Sequence, residues 1–292
     1  MSDARGGRRA RLGVIGGSGL YRMDGFANAE ELRIETPFGT PSSPVLVGEI
    51  GPTRVAFLAR HGPSHTILPT EINYRANVWA LKSLGVEFVL AVSAVGSLAE
   101  RIHPLDVVVP DQMFDRTRHR PDTFFGDGIA AHVSLADPVC GDLAGRLGTA
   151  ARAAGATVHE GGTYVCMEGP QFSTRAESRF YRTLGASVIG MTNMQEARLC
   201  REAELCFASM ALVTDYDCWK TDEPPVSVEQ IIQRLHINAK RAEHAVRSLA
   251  GDLPAERRCG CAEALRYAII TPRAAWPQAT IERLGPLLAR HA

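Results

Sequence analysis

The chain has 292 residues, 45% hydrophobic and 22% charged, with 32 basic and 32 acidic side chains. That is enough for one large domain with a substantial core, and a formal net charge of zero argues against a general binder of nucleic acid or anionic membrane. Residues 1–11 are Arg-rich without the apolar stretch of a signal peptide, and no apolar run approaches the ~20 residues that span a bilayer. We therefore expect a flexible basic tail on a cytoplasmic protein.

Leu12 to Ile15 reads as a strand, and Gly16-Gly17-Ser18-Gly19 follows it directly. Glycines let backbone N–H groups approach an anion, and Ser18 adds a hydroxyl. The turn is neither a triphosphate loop nor a dinucleotide fingerprint: no Gly-Lys-Ser/Thr follows, and Arg22 stands where the last glycine is required. Val45 to Ile50 and Arg54 to Ala59 read as paired strands around Gly51-Pro52. The second delivers Arg60-His61-Gly62. A guanidinium at the end of an apolar strand needs an anionic partner, either a phosphate or a neighbouring acid. Asn73 to Leu84 is a helix ending at Gly85. Phe88 to Val92 is a buried strand opening into Ser93-Ala94-Val95-Gly96-Ser97, a second candidate anion-binding turn. Asp106 to Pro110 is a further strand. Asp111 to Asp137 has no clear period; such a long irregular segment is usually functional or an intersubunit surface.

Gly141 to Ala154 reads as a helix, Gly161 to Met167 as a strand, and Thr174-Arg175-Ala176-Glu177 as a capping box opening the next helix. Phe172, just before it, suits either stacking on an aromatic ligand or stapling the helix end, and the spacing favours the staple. Ala186 to Gly190 is a strand, followed by Met191-Thr192-Asn193-Met194 and a helix over Gln195 to Glu204. The apolar run from Cys206 to Val213 fits a strand buried on both faces. Asp215 and Asp217 close it. In extended chain, i and i+2 face one side, and two close carboxylates resist double ionisation, which makes one of them a proton donor. An Asx turn explains the same residues equally well. Val226 to Leu249 is a long amphipathic helix with Val228, Ile231 and Ile232 on or near its apolar face. A polar linker, Gly251 to Gly260, and helical pieces broken by Pro272, Pro277 and Pro286 follow. Most of the seven cysteines fall in apolar runs as small core residues. Cys259-Gly260-Cys261 lies in polar sequence, yet no second Cys pair of that spacing exists to complete a zinc site, so no metal is expected.

Strands alternating with helices predict a single α/β domain around a central sheet. We divide the chain into the tail 1–11, a domain over 12–250, and a helical extension over 251–292 packed on the same domain. Several strand ends carry polar groups: Gly16 to Gly19, Arg60-His61, Ser93-Ala94, Met191-Thr192 and Asp215-Asp217. Hydroxyls, backbone donors and a guanidinium make a phosphate site. Facing an acid pair, it points to cleavage between a sugar and a heterocycle.

Seven motifs lie between about residue 12 and residue 250: Gly16-Gly17-Ser18-Gly19-Leu20, Thr36-Pro37-Phe38-Gly39, Leu58-Ala59-Arg60-His61-Gly62, Asn73-Tyr74-Arg75-Ala76-Asn77, Glu168-Gly169-Pro170 with Phe172-Ser173, Arg175-Ala176-Glu177-Ser178, and Thr214-Asp215-Tyr216-Asp217-Cys218-Trp219-Lys220. As a set they resemble the trimeric purine nucleoside phosphorylases, and most closely those acting on S-methyl-5'-thioadenosine. The resemblance implies a central mixed, partly barrel-like sheet flanked by helices, and a homotrimer, alone or as a dimer of trimers. It implies phosphorolysis to adenine and 5-methylthioribose 1-phosphate in purine and methionine salvage, with phosphate as co-substrate and no cofactor. Ser18, Arg60, His61, Ser93, Ala94 and Thr192 match the phosphate site, and Met191 the ribose contact. Phe172 matches the base-stacking residue, which reverses the staple reading. Ser173, Asp215 and Asp217 match the base edge, with Asp217 catalytic at N7 and Asp215 accepting from the 6-amino group. Relatives preferring 6-oxopurines typically carry Asn at the position of Asp217. Val228, Ile231 and Ile232 match a 5'-methylthio pocket, to which the neighbouring subunit adds His132.

Overall fold

The computed structural model describes residues 9–17, 25–221 and 228–291. Ser18 and residues 1–8 of the basic tail lie outside these, as does the side chain of Ile231.

Strands β1 (Leu12–Gly16), β2 (Phe26–Leu32), β3 (Val45–Ile50) and β4 (Thr53–Ala59) precede helix α1 (Tyr74–Ser83) and the long β5 (Phe88–Ser97). Then come β6 (Val107–Val109), β7 (Gln112–Arg116), α2 (Gly141–Ala153), β8 (Val158–Glu160) and β9 (Thr163–Met167). α3 (Arg175–Thr183), β10 (Val188–Gly190), α4 (Asn193–Glu202), β11 (Cys206–Asp215), α5 (Val228–Gly251) and α6 (Gln278–Leu284) complete the order. The described strands join one mixed eleven-stranded sheet. The main core packs β1, β4, β5 and β11 against α1, α2, α4 and α5, and takes in Cys261, Leu265, Leu284, Leu287 and Leu288 from the last forty residues or so.

Local signals hold where they were strong. Asn73 caps α1, its side chain accepting from the Ala76 N–H at 3.1 Å, and the Thr174–Glu177 capping box opens α3. Others need correction. Ser93 to Ser97 is not a turn: β5 runs straight through it, because neighbours pair with it to the end. The segment 111–137 contains β7, which pairs in parallel with β9; alternating exposed and half-buried residues hid it. β2 was missed because its residues are largely exposed and polar.

The feature that positions the site is a fork in the sheet. β11 occupies one edge of β5 from Phe88 to Gly96. On the other edge β1 pairs only as far as Ile15 opposite Ala91, and β10 joins at Gly96. Among the described residues, 92–95 therefore have one edge without a strand partner, between the end of β1 and the start of β10.

Candidate active site

The gap gathers the anion-binding candidates. The Arg60 N–H donates to the Gly16 carbonyl at 3.1 Å, which ties the ends of β4 and β1 together. The Arg60 side chain is buried and its Nη1 donates to the Val92 carbonyl at 3.0 Å. Strand alternation turns the Ala94 N–H and C=O to the same edge as those of Val92, so the Ala94 N–H faces the gap. The N-terminus of α4 enters from the other side. Thr192 is its N-cap and makes no side-chain capping bond. Its hydroxyl and the positive end of the helix are both disposed toward an anion.

Arg60 is not a free cation. Its Nε donates to Glu196 Oε1 at 2.5 Å and its Nη2 to Glu196 Oε2 at 3.1 Å. Nη2 also donates to the Ile15 carbonyl at 3.2 Å. Of the five N–H groups of an arginine, four are committed, and one on Nη1 is left for a ligand. Glu196 continues inward: Asn193 Nδ2 donates to its Oε2 at 3.0 Å, while Asn193 Oδ1 accepts from Ser93 at 3.2 Å and from Ser209 at 2.7 Å. This buried chain fixes the Ser93 hydroxyl. Glu196, Asn193 and Ser209 escaped the sequence reading because a polar residue inside an apolar strand or helix carries no local mark of its partner.

His61 follows on the same loop. Its Nδ1 lies 2.8 Å from the Ile67 carbonyl, so Nδ1 carries the proton and Nε2 is the free acceptor of the neutral ring. Burial and the Arg60 charge pull the imidazole down to about 4. At neutral pH it can accept a hydrogen bond from the hydroxyl of a hydrogen phosphate.

A second buried arginine organises the middle of the site. Arg120 Nη1 donates to the Met191 carbonyl at 2.5 Å, to Gln195 Oε1 at 3.0 Å and to the Tyr74 hydroxyl at 3.0 Å. Its Nε meets Glu168 Oε1 at 3.1 Å. These bonds hold Met191 against Gly169, where a Cβ would sit 2.6 Å from the Met191 sulfur. Arg120 lay in the stretch with no readable period.

The acid pair closes the base end. β11 ends at Asp215, and Asp217 adopts the left-handed conformation with φ 53°. The extended i, i+2 geometry does not hold. Instead the Asp217 N–H donates to Asp215 Oδ1 at 2.7 Å, and Thr214 donates to Asp215 Oδ2 at 2.7 Å. The Asx turn and the paired acids are one structure. Both residues press on β5 at Gly96, where a Cβ would sit 2.9 Å from Asp215 Oδ1 and 3.2 Å from Asp217 Cβ. Burial pushes Asp215 up to about 6 and raises Asp217 as well, against the hydroxyls of Ser178 and Ser173.

The Phe172–Ser173 segment lies beside this pair, since the Cys218 thiol donates to the Ser173 carbonyl at 3.2 Å. Phe172 is 49% exposed. As a staple it would need an apolar residue at the fourth position of α3, which is Ser178. The ring is therefore available to a ligand. α5 is anchored to the same end by Arg234, whose Nη1 donates to the Thr214 carbonyl at 2.5 Å. Val228 and Ile232, on the first turns of α5, are 62% and 48% exposed. His132 is exposed too, its N–H donating to the Ala268 carbonyl at 2.8 Å.

Residues 11–250 match the model of the phosphorylase superfamily. The S-methyl-5'-thioadenosine phosphorylase of Koribacter versatilis is 53% identical over 283 residues, covering 97% of each chain. That of Geobacter sulfurreducens is 53% identical over 281 residues, covering 96% of this chain and 98% of the relative. A methylthioadenosine phosphorylase from an antarctic soil metagenomic library superposes with a TM-score of 0.93 at 48% identity, covering 96% of this chain and 99% of the other. The Schistosoma mansoni methylthioadenosine phosphorylase in complex with adenine gives 0.81 at 35% identity, covering 88% and 96%.

Proposed function

The chain belongs to the phosphorylase superfamily, and from that premise we propose that it cleaves S-methyl-5'-thioadenosine with inorganic phosphate, releasing adenine and 5-methylthioribose 1-phosphate. The observation that carries this reading is the fork on β5. An anion-accepting gap and an acid pair lie against one strand, at Ser93 and Gly96, three residues or about 10 Å apart. One pentose fits between them.

As the glycosidic bond stretches, the ribose gains oxocarbenium character and electron density moves to the purine. Phosphate held by Ser18, the remaining Arg60 N–H, His61, Ser93, the Ala94 N–H and Thr192 lies against the cationic sugar, beside Met191. Asp217, whose pKa burial raises, shares a proton with N7 as charge builds there and improves the leaving group. Asp215, with a pKa about 6, is mostly ionised at neutral pH and accepts from the 6-amino group. An ionised carboxylate repels a 6-oxo group, which selects adenine. Phe172 covers one face of the ring and Ser173 adds a hydroxyl. Phosphate is the co-substrate, and the reaction draws on no resident cofactor.

The apolar Val228, Ile231 and Ile232 suit a methylthio group better than a 5'-hydroxyl. The exposure of Val228 and Ile232 in a single chain fits a pocket completed by His132 of a neighbouring subunit in a homotrimer or a dimer of trimers. We further read residues 12–250 as the catalytic domain, 251–292 as its extension, and the setting as cytoplasmic purine and methionine salvage. No described helix is long and apolar enough to cross a membrane.

The test is adenine release from S-methyl-5'-thioadenosine, adenosine and methylthioinosine, with and without phosphate. The expected result is phosphate-dependent release, fastest with S-methyl-5'-thioadenosine. Release indifferent to phosphate would identify a hydrolase, and faster cleavage of methylthioinosine a 6-oxopurine enzyme.

A further inference from the structure

The cysteine pair that sequence spacing left without partners acquires two. The sulfurs of Cys140, Cys206, Cys259 and Cys261 all lie within 4.8 Å of one another, and Cys206 and Cys259 approach to 3.3 Å. A zinc ion with four Zn–S bonds of about 2.3 Å spaces its sulfurs about 3.8 Å apart. We propose that these four cysteines form a tetrathiolate site for one zinc ion, remote from the active site, that staples the C-terminal segment to the sheet.

The backbone presents the ligands without help from a metal. Cys206 is the first residue of β11. Cys140 is the N-cap of the thirteen-residue α2, and its N–H donates to the Phe207 carbonyl at 2.8 Å, which sets it beside Cys206. Cys259 and Cys261 flank the start of a 3-10 turn over Gly260–Glu263. Glu204, two residues before Cys206, grips both sides of that turn. Its carbonyl accepts from Arg257 Nη1 at 2.6 Å and its carboxylate from the Leu265 N–H at 3.1 Å. Cys140, Cys206 and Cys261 are buried, and Cys259 is half-buried, which leaves a way in for an ion.

The chemistry is consistent with a soft divalent cation. Four thiolates gathered within 4.8 Å of one another favour zinc over the hard cations that prefer oxygen. Binding displaces four thiol protons and leaves a net charge of −2. Arg257 and Lys82, which donate at 2.6 Å to the carbonyls of Glu204 and Ala203, two and three residues before Cys206, help to offset it. With all four positions filled by protein, no site is open to substrate, so the role is structural. The spacing argument sought a second local pair, whereas Cys140 and Cys206 are brought together by α2 docking on β11.

The test uses the untagged full-length protein from zinc-supplemented expression. Elemental analysis is expected to give one zinc per chain. Mercurial titration of the thiols should release it, and cobalt in its place should show the intense visible bands of tetrahedral thiolate coordination. Chelation should lower Tm by about 5–10 °C, restored by zinc. Cys259→Ser and Cys261→Ser should lose the metal while turnover at room temperature changes less than about twofold, since Asp215 lies nine residues, or about 30 Å, along β11 from Cys206. Less than a tenth of a zinc per chain, with all seven thiols titrating after denaturation, would overturn the proposal. So would fewer than seven thiols, which would assign the cluster to disulfides. Full zinc retention in both serine variants would do the same.

Discussion

Asp217→Asn isolates the step on which the proposed chemistry turns. Asparagine is nearly isosteric and tolerates the left-handed conformation almost as well as aspartate, so the turn with φ 53° survives. The main-chain bond from residue 217 to Asp215 Oδ1 is also kept, because it uses the backbone N–H. What is lost is the carboxyl's capacity to carry a proton to N7, which burial favours by raising its pKa. An amide still donates a hydrogen bond to N7 but cannot protonate it. General acid catalysis contributes roughly 10²–10⁴-fold, or about 2.7–5.4 kcal/mol of barrier. The expected outcome is a fall of that size in kcat for adenine release from S-methyl-5'-thioadenosine, with KM for phosphate little changed. Methylthioinosine should lose far less, because an amide at this edge also suits an oxo-purine. Unchanged adenine turnover in a variant with wild-type Tm would refute the assignment of Asp217 as the acid.

Arg60→Met should leave Glu196 buried and unpaired, costing about 3–5 kcal/mol of stability and raising KM for phosphate. Arg60→Met with Glu196→Met should recover most of the Tm but not phosphate affinity; recovery of both would show that Arg60 is only a scaffold. Asp215 predicts a pH-dependent stability. Its folded pKa of about 6 exceeds the 3.8 of an unperturbed aspartate, so its contribution favours folding below pH ~4 and is lost as pH rises through about 6. The two units amount to about 3 kcal/mol, and Asp215→Asn should remove that slope; urea curves at pH 4 and pH 7 that shift in parallel for both proteins would contradict it. Phe172→Ala should raise KM for the nucleoside about tenfold through lost stacking, leave KM for phosphate alone and leave Tm within a degree or two, since the ring is half exposed. A drop in Tm with unchanged KM would restore the staple reading.

The sequence was most legible where function and local rules coincide. The ends of β1 and β4, the capping box and the apolar run before Asp215 are short-range signals, and each appears in the structure. Residues whose meaning depends on a distant partner were not readable. Arg60 is an example: at the end of an apolar strand it called for an anion, and both a phosphate and an acid satisfied that call. The acid is Glu196, 136 residues away in sequence. Arg120 sat in a segment without period, although it bonds to four parts of the site. The turn predicted at Ser93 to Ser97 failed for a related reason. Small polar residues look like a loop when their strand neighbours are unknown, and here two strands contribute them.

The fork and the neutralised arginine bear on one question, how a buried site accepts a phosphate without holding an unpaired charge when empty. A lone buried guanidinium is costly. Pairing Arg60 with Glu196 removes that cost and leaves one directed N–H. The rest of the anion's stabilisation then comes from neutral dipoles at the gap: the Ala94 N–H on a strand edge with no partner strand among the described residues, the α4 N-terminus behind Thr192, and the hydroxyl of Ser93 once it turns its proton from Asn193 to the anion. Neutral donors bind an anion without demanding one in the free protein. The same logic applies at the other end. Burial raises both acids, and the hydroxyl of Thr214 and the Asp217 N–H hold the Asp215 carboxylate in place, so the charge separation of the reaction is met by groups already oriented toward it.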